Sequence, residues 1–354
     1  MEQIRQLRLL EKIIETDDTF TFRLEPADSR PFSYQPGQYL TLHFAGIGQE
    51  KRRAYSFSSS PVTDTYPAIT VKRIPNGEFS NRLLYRSLPG DLFTATGPNG
   101  HFLLPEPLPE TLFYLAAGSG ITPIMGHLRT LLASGRTAPW PKILLFYANR
   151  DSRSTIFKAQ LDHWMVEHPD RFKCVYFFSR ERNAENARFR HLNNEILEHE
   201  LRYSLGGQLT VHHRNTIQFY CCAPEAIMRM ARMTLRQLDF PAENLHFEAF
   251  APAIVPPLRR VNTSRTHHIV ATGADERVEF EIFNDETILN GALRQGIALP
   301  YSCKTGICLT CLARCVHGEV DMVYAQFTQP GRPGDMINTC IGYATTDSVE
   351  ITYK

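Results

Sequence analysis

The sequence predicts a multidomain protein: a small antiparallel β-barrel, then an α/β module with a doubly wound parallel sheet, then a small α+β module around a cysteine loop. Three observations carry this. Residues 1–105 hold short strand-like runs with turn signals between them and no long helical period. From about Thr111, continuous apolar runs alternate with amphipathic stretches, as repeated βα units do. Near the carboxyl end Cys303, Cys308 and Cys311 fall in a C-x4-C-x2-C spacing, with Cys340 further on. At 354 residues the chain has room for two or three cores.

The barrel strands are expected at Phe20–Leu24, Gln38–Phe44, Ala54–Ser58, Ala68–Arg73 and Leu92–Thr96. In RAYSFSS, alternation puts Tyr55 on the face opposite Ala54 and Ser56. In VKRIPNGEFSNRLL, from Val71 to Leu84, Asn76-Gly77 marks a turn, and Ser80 is expected to open a helix whose N–H groups face an anion. Either segment alone is also what ordinary barrel packing requires.

The middle third, residues 106–250, begins with the buried-strand run TLFYLAAG and continues into GSGITPIMGHLRTLL. Thr122 is expected to cap a helix with Pro123 at its first position, and Gly118 and Gly120 let the backbone approach a ligand. KILLFYANR, FKCVYFFSR, TIQFYCCAP and NLHFEAF read as further strands, with STIFKAQLDHWM and EAIMRMARMTLRQL as helices. A lone G-x-G is a weak signal; its place between a buried strand and a helix strengthens it.

Residues 251–264 are rich in proline and have no amphipathic period, so they read as a semi-stiff tether. Residues 265–354 follow. In RVEFEIF, Val278, Phe280 and Ile282 alternate with Glu279 and Glu281 as a half-buried strand. ETILNGALRQG is a short helix ending at Gly296. CLARCVHGEVDM and SVEITY are the closing strands.

The cysteine spacing is the plant-type pattern for a [2Fe–2S] cluster: a tight loop supplies three soft thiolates and a distant segment the fourth. Gly306 sits where the loop must turn tightly. Zinc is the alternative, but zinc sites usually pair two C-x2-C knuckles and only one is present. Cys315 and Cys174 read as small buried hydrophobes. A net charge of +1 argues against a nucleic-acid binder. It hides an asymmetry: from Arg265 onward the net is −4, and the remainder carries +5, which suits docking of one part on the other or on an outside partner. No signal peptide and no membrane span is expected, and eight cysteines around a cluster point to a reducing cytoplasm.

Together the RAYS strand, PGQYL (Pro36–Leu40), GPNGHF (Gly97–Phe102), GSGITP, CCAP and HFEAF resemble the ferredoxin–NADP reductase superfamily. The last third is similar to the β-grasp of plant-type ferredoxins, so the resemblance spans essentially the whole chain, in the order of oxygenase reductase components. It implies a flavin held by Arg53, Ala54, Tyr55, Ser56, Val71, Lys72, Gly77, Phe79 and Ser80: Tyr55 on the ring, Ser56 near its reactive nitrogen, Arg53 on phosphate. FAD is implied, with FMN left open because Asn76 stands where many relatives have glycine. The resemblance places a pyridine nucleotide against Gly118, Gly120 and Thr122, Cys222 beside the nicotinamide, and Glu248 and Phe250 close to the flavin. Ala223 departs from the family's glycine. Ser179 and Arg180 take the place where NADPH users hold the 2′-phosphate; Arg188 and Arg190 add charge, and Glu181 argues the other way, so NADPH and NADH both stay open.

The implied activity is electron transfer from NAD(P)H through the flavin to a cluster held by Cys303, Cys308, Cys311 and Cys340, and on to a terminal oxygenase. Ser56, Cys222 and Glu248 would tune the hydride step. Another metalloprotein acceptor, such as a hybrid-cluster protein, is the alternative; a non-enzymatic cluster carrier is disfavoured by RAYS and GSGITP.

Overall fold

The computed structural model describes residues 4–28, 30, 32–44, 51–133, 140–182, 187–189, 191–206, 209–250, 265–273, 277–301, 304, 306, 310–324 and 327–353. The chain divides into two compact units, Gln3–Phe250 and Ala251–Lys354. The tether expected at 251–264 lies outside the described residues.

The first unit opens with six strands: β1 (Arg5–Thr16), β2 (Thr19–Pro26), β3 (Tyr39–Phe44), β4 (Lys51–Ser56), β5 (Ala68–Lys72) and β6 (Leu92–Asn99). They form one antiparallel sheet in the order β4-β3-β6-β1-β2-β5. Alternate residues such as Leu7, Leu9, Phe22, Leu40, Ile69 and Val71 fill its interior. A single bridge, Phe57 to Ile69, joins the two end strands and closes the barrel. Beyond that bridge no ladder links β4 to β5 among the described residues, so Arg53–Ser56 and Thr70–Lys72 present open backbone edges. Five of the six strands stand close to the expected positions. The sixth, β1, was not delimited: its sequence is heavily charged, and register shifts at Leu9/Glu11 and Ile14/Thr16 interrupt its alternation. Helix α1 (Glu78–Arg86) opens at Glu78 with Gly77 as its cap, two residues ahead of the expected start at Ser80. Ser80 is unavailable as a cap because its hydroxyl accepts the Ile74 N–H at 3.0 Å.

The parallel sheet follows: β7 (Thr111–Ala117), a one-turn 3-10 helix (Gly118–Gly120), α2 (Ile121–Leu131), β8 (Lys142–Asn149), α3 (Lys158–Glu167), β9 (Phe172–Phe178), β10 (Ala187–Phe189), α4 (Asn194–Ser204), α5 (Val211–Thr216), β11 (Ile217–Cys222), α6 (Glu225–Gln237) and β12 (Leu245–Glu248). The strand order is β10-β9-β8-β7-β11-β12, parallel throughout. Both faces are buried, Tyr114, Leu145 and Tyr176 on one and Phe113, Phe146 and Phe177 on the other. That double burial is why the strands read as unbroken apolar runs. The helix after the glycines starts at Ile121, so Thr122 is not its cap; the preceding 3-10 turn winds into it, and the Thr122 hydroxyl donates to the Ser119 carbonyl at 3.1 Å. Three elements escaped the sequence reading: β10 and α5 are short and polar, and α4 buries only Leu197, Glu200 and Leu201.

In the second unit, β13 (Thr266–Thr272), β14 (Arg277–Phe283), α7 (Ile288–Arg294), β15 (Leu312–His317), β16 (Val320–Tyr324), β17 (Phe327–Gly331), β18 (Met336–Asn338), β19 (Gly342–Ala344) and β20 (Ser348–Thr352) form two sheets. The larger has the order β14-β13-β20-β15-β18, with β13 and β20 parallel. The smaller is β17-β16-β19. Helix α7, capped by Thr287, lies so close to β14 that a Cβ at Gly291 would stand 2.2 Å from the Ile282 side chain. A helix clasped by a mixed sheet is the expected β-grasp. One expectation is corrected: CLARCVHGEVDM is not a single strand. Gly318, at φ +82°, breaks it into β15 and β16, which belong to different sheets.

Candidate functional site

Two clefts in the first unit gather most of the residues singled out in the sequence. One, of about 490 Å³, is lined by Arg53, Ala54, Tyr55, Ser56, Val71, Lys72, Gly77, Phe79, Ser80, Thr122 and Phe250, and also by Thr70, Arg73, Ile74, Glu78 and Ser119. The open edges of β4 and β5 form its walls, and the start of α1 forms one end. Asn76 adopts φ +60°, so it performs the left-handed turn that glycine would otherwise supply. The Arg53 guanidinium lies over the Phe79 ring at 4.5 Å, beside the helix start. Open backbone edges on both walls, a helix N-terminus with a guanidinium beside it, and an aromatic ring at Tyr55 suit a flat heterocycle carrying a phosphate tail. The cleft therefore fits a flavin nucleotide.

The second cleft, of about 420 Å³, lies at the carboxyl ends of the parallel strands and is lined by Lys72, Gly118, Ser119, Asn149, Arg150, Ser154, Ser179, His191 and Pro224, among others. In strand order the chain reverses direction between β7 and β11, and open α/β sheets bind ligands at such a point. Gly120 is required there: a Cβ would stand 1.9 Å from the Cys222 carbonyl oxygen. Gly118 takes φ +53°, and its carbonyl accepts the Tyr147 hydroxyl at 3.0 Å. Asn149, Arg150 and His191 were not singled out from sequence. The rule that ligands sit beyond strand ends would have flagged the first two: Asn149 closes β8 and Arg150 follows it.

The three residues expected to tune the hydride step meet. Ser56 donates to Glu248 at 2.8 Å, across 192 positions of sequence. Burial pushes the Glu248 carboxyl up to about 7 despite that hydrogen bond. Cys222 is buried; burial first, then the Glu248 and Cys221 charges, holds its thiol well above the ordinary value. It stays a protonated thiol at neutral pH. Phe250, 47 % exposed, stands at the rim of the first cleft.

Ser179 lines the second cleft, and Arg180 beside it is exposed. Glu181 is occupied: the Ser152 N–H and hydroxyl both donate to its carboxylate. Arg188 is paired with the buried Glu200 at 3.1 Å, so its charge is balanced locally. Arg190 lies outside the described residues.

Of the four expected cluster ligands, Cys303 and Cys308 lie outside the described residues. Cys311 and Cys340 are buried and free of disulfides. The Gly306 N–H donates to Cys340 Sγ at 3.1 Å, and the Cys311 thiol lies 3.9 Å from Asn338 Oδ1. Gly306 takes φ +76°, the tight turn expected of it. A buried sulfur that receives a backbone N–H, as Cys340 does, is the environment that a thiolate-bound cluster needs. Cys315 and Cys174 are buried away from such donors, as the sequence reading expected.

Residues 6–103 match a family model described as an oxidoreductase FAD-binding domain. Residues 114–233 match an oxidoreductase NAD-binding domain, and residues 272–345 a 2Fe-2S iron-sulfur cluster binding domain. The chain is 33% identical over 314 residues to one of the subunits of 1,2-phenylacetyl-CoA epoxidase from Escherichia coli K12, covering 87% of this chain and 85% of that protein. It is 29% identical over 372 residues to the ferredoxin reductase component of 3-ketosteroid-9-alpha-monooxygenase from Mycobacterium tuberculosis, covering 99% and 96% of the two. In fold it matches phthalate dioxygenase reductase with a TM-score of 0.61 at 22% identity, over 99% of this chain and 98% of that one. The chain belongs to the ferredoxin–NADP reductase superfamily, in the form that ends in a plant-type [2Fe–2S] ferredoxin domain.

Proposed function

We propose that this chain draws electrons from a reduced nicotinamide dinucleotide and delivers them, through FAD in the barrel cleft and a [2Fe–2S] cluster, to a separate terminal oxygenase. It is an NAD(P)H-dependent oxidoreductase of the ferredoxin-reductase type. The observation that carries the reading is the Ser56–Glu248 contact, which brings the last parallel strand to the wall of the flavin cleft. FAD, when bound, accepts a hydride and yields electrons singly to a cluster that takes one at a time. The rest is positioning. Tyr55 and Phe250 would pack on the ring, Ser56 and Glu248 would lie near its reactive edge, and Cys222 would line the nicotinamide site as a neutral thiol. Arg53, Gly77, Phe79 and Ser80 receive the phosphates, and the backbone of Ala54, Val71 and Lys72 holds the ring.

The cluster is held by Cys303, Cys308, Cys311 and Cys340. Module boundaries fall at 1–105, 106–250, 251–264 and 265–354. NADPH is the preferred donor: the exposed Arg180 guanidinium beside Ser179 suits a 2′-phosphate, and the Glu181 carboxylate is engaged by Ser152. The two named relatives are part of an epoxidase and a monooxygenase component, which supports an oxygenase as acceptor. Among the described residues no helix is long and apolar enough to cross a membrane. Six described cysteines are free, which supports a reducing, cytoplasmic setting.

Anaerobic titration tests the proposal. NADPH should bleach both flavin and cluster absorption in the wild type. In Cys311→Ser it should bleach the flavin alone, with ferricyanide reduction kept and cytochrome c reduction lost. Equal loss of both reactions would refute the path.

A further inference from the structure

The reaction proposed above has a proton to dispose of. A hydride brings two electrons and one proton into the flavin cleft, and the cluster removes electrons only. Each turnover therefore leaves one proton: NAD(P)H plus two oxidised acceptors gives NAD(P)⁺, two reduced acceptors and H⁺.

The barrel holds a hydrogen-bonded row leading away from that cleft. Thr70, which lines it, lies 2.7 Å from the Thr21 hydroxyl across the β2–β5 ladder. Thr21 in turn donates to Glu15 Oε1 at 2.6 Å. Thr70 and Thr21 are buried, and Glu15 is half-buried, so the row runs from the cleft to the protein surface. A cross-strand Thr–Thr pair alone would be ordinary sheet bonding. Two features take it further. One end opens on the cofactor cleft and the other ends on a carboxyl. That carboxyl is also placed deliberately: the β1 register shifts between Ile14 and Thr16, so Glu15 is the extra residue of a bulge, the device that re-aims a side chain. A side branch, Ser58 to Thr70 at 2.7 Å, stops at the Ala68 carbonyl.

We propose that Thr70, Thr21 and Glu15 form a proton exit from the flavin cleft. The inference rests on the electron path proposed above. Either hydroxyl can donate in the Thr70–Thr21 bond, so a proton can pass along it by exchange of donor and acceptor. Burial raises the Glu15 pKa, while Thr21, Arg129 on α2 and Arg23 on β2 draw it down. Arg129 is itself paired with Asp64 at 3.0 Å, and Arg23 with Glu11 at 2.6 Å, so neither locks Glu15 permanently ionised.

The test uses the holoenzyme in weak buffer with a pH-indicator dye. The flavin is reduced with one equivalent of NADPH, then reoxidised with ferricyanide while colour and proton release are followed together. Thr21→Val breaks the row, Thr21→Ser restores it, and Glu15→Gln keeps an acceptor oxygen that cannot take a proton. Bleaching by NADPH should stay within about twofold in all three, because a hydride needs no relay. Proton release should slow by about a hundredfold in Thr21→Val and Glu15→Gln and recover in Thr21→Ser, the low end for losing a placed proton acceptor. A protonated-carboxyl band in the reduced-minus-oxidised infrared spectrum should vanish in Glu15→Gln. Proton release at the wild-type rate in both broken variants overturns the relay; if Thr21→Val fails to hold flavin, Glu15→Gln decides. Should NAD(P)H fail to bleach the wild type, the electron path falls instead, and photochemical reduction still lets the proton measurement run.

Discussion

The flavin cleft and the cluster site solve opposite problems of assembly. Three of the four expected cluster thiols fall within nine residues, Cys303 to Cys311, and the fourth is Cys340. The cleft is built from segments as far apart as Ser56 and Glu248, and neither local signature, RAYS or HFEAF, reveals that the two residues touch. A site made by one loop is written in its spacing. A site made by the fold is written only in fragments, each of which has an ordinary packing explanation. Cys340→Ser puts this contrast under the greatest stress. It would exchange a proposed soft ligand for a hard hydroxyl at the position that accepts the Gly306 N–H, so the dithionite-reduced electron paramagnetic resonance signal and cytochrome c reduction should both be abolished. The flavin cleft belongs to a different compact unit, so NADPH-driven ferricyanide reduction should continue. Loss of flavin along with the cluster would show that the two sites are not separately built.

The same contrast governs what could be read before the fold was known. Strand runs such as TLFYLAA and FKCVYFF were plain because burial on both faces leaves only one polar residue in each, Thr111 and Lys173. Helix α4 was not, since Asn193 caps it but only a few side chains commit to the core. Thr122 and Ser80 were both expected to begin helices. Each hydroxyl is instead engaged by another backbone group, Thr122 donating to the Ser119 carbonyl and Ser80 accepting the Ile74 N–H, a competition that spacing does not reveal. Glu181 reads as an opposing charge in sequence and is neutralised as an argument only by its bonds to Ser152. The Thr70–Thr21–Glu15 row was invisible, because it depends on a bulge.

Two glycines two residues apart repeat the division between local and fold-imposed demands. At Gly118 a side chain would meet nothing within 4 Å, and only φ +53° opposes it. At Gly120 the backbone is unstrained in φ, but a Cβ would collide with the Cys222 carbonyl at 1.9 Å. The first cost is local and the second is imposed by the fold. Gly120→Ala should destabilise the first unit by at least about 3 kcal/mol, since a buried backbone group must move, and slow reduction by NADPH. Gly118→Ala should cost about 1 kcal/mol. Denaturant unfolding of the two variants measures both. Equal effects would mean that the switch-point loops are not in contact.

Glu248 gives the cleft a pH dependence that the cluster unit should lack. Burial raises its carboxyl from an ordinary 4.5 to about 7, so the folded state binds that proton more tightly than the unfolded chain does. The resulting stabilisation is complete below about pH 4.5 and is lost as pH rises through about 7, a change of up to about 3 kcal/mol. Glu248→Gln, which cannot ionise, should remove the loss of stability between about pH 6.5 and 8 in unfolding of the first unit; below about pH 6.5 the buried His127, held down to about 4, contributes with the opposite sign in both proteins. A variant retaining the full slope would place the titrating group elsewhere.

The smallest expected effect is the most discriminating test of how the thiols are sorted. Cys315 lies four residues beyond Cys311 and is just as buried. Its sulfur points at the His317 and Gly318 carbonyls, at 3.6 and 3.5 Å, whereas Cys340 receives a backbone N–H. Carbonyl oxygens repel a thiolate and suit a thiol. Burial, then Asp335 and Glu319, also raises the Cys315 pKa, which further disfavours the anion that iron requires. Cys315→Ala should therefore behave as the trimming of a small core residue, costing about 1 kcal/mol on thermal unfolding and leaving the cluster's resonance signal intact. If the signal disappeared, the ligand set would have to be redrawn around Cys315, and with it the claim that the loop and Cys340 alone define the site.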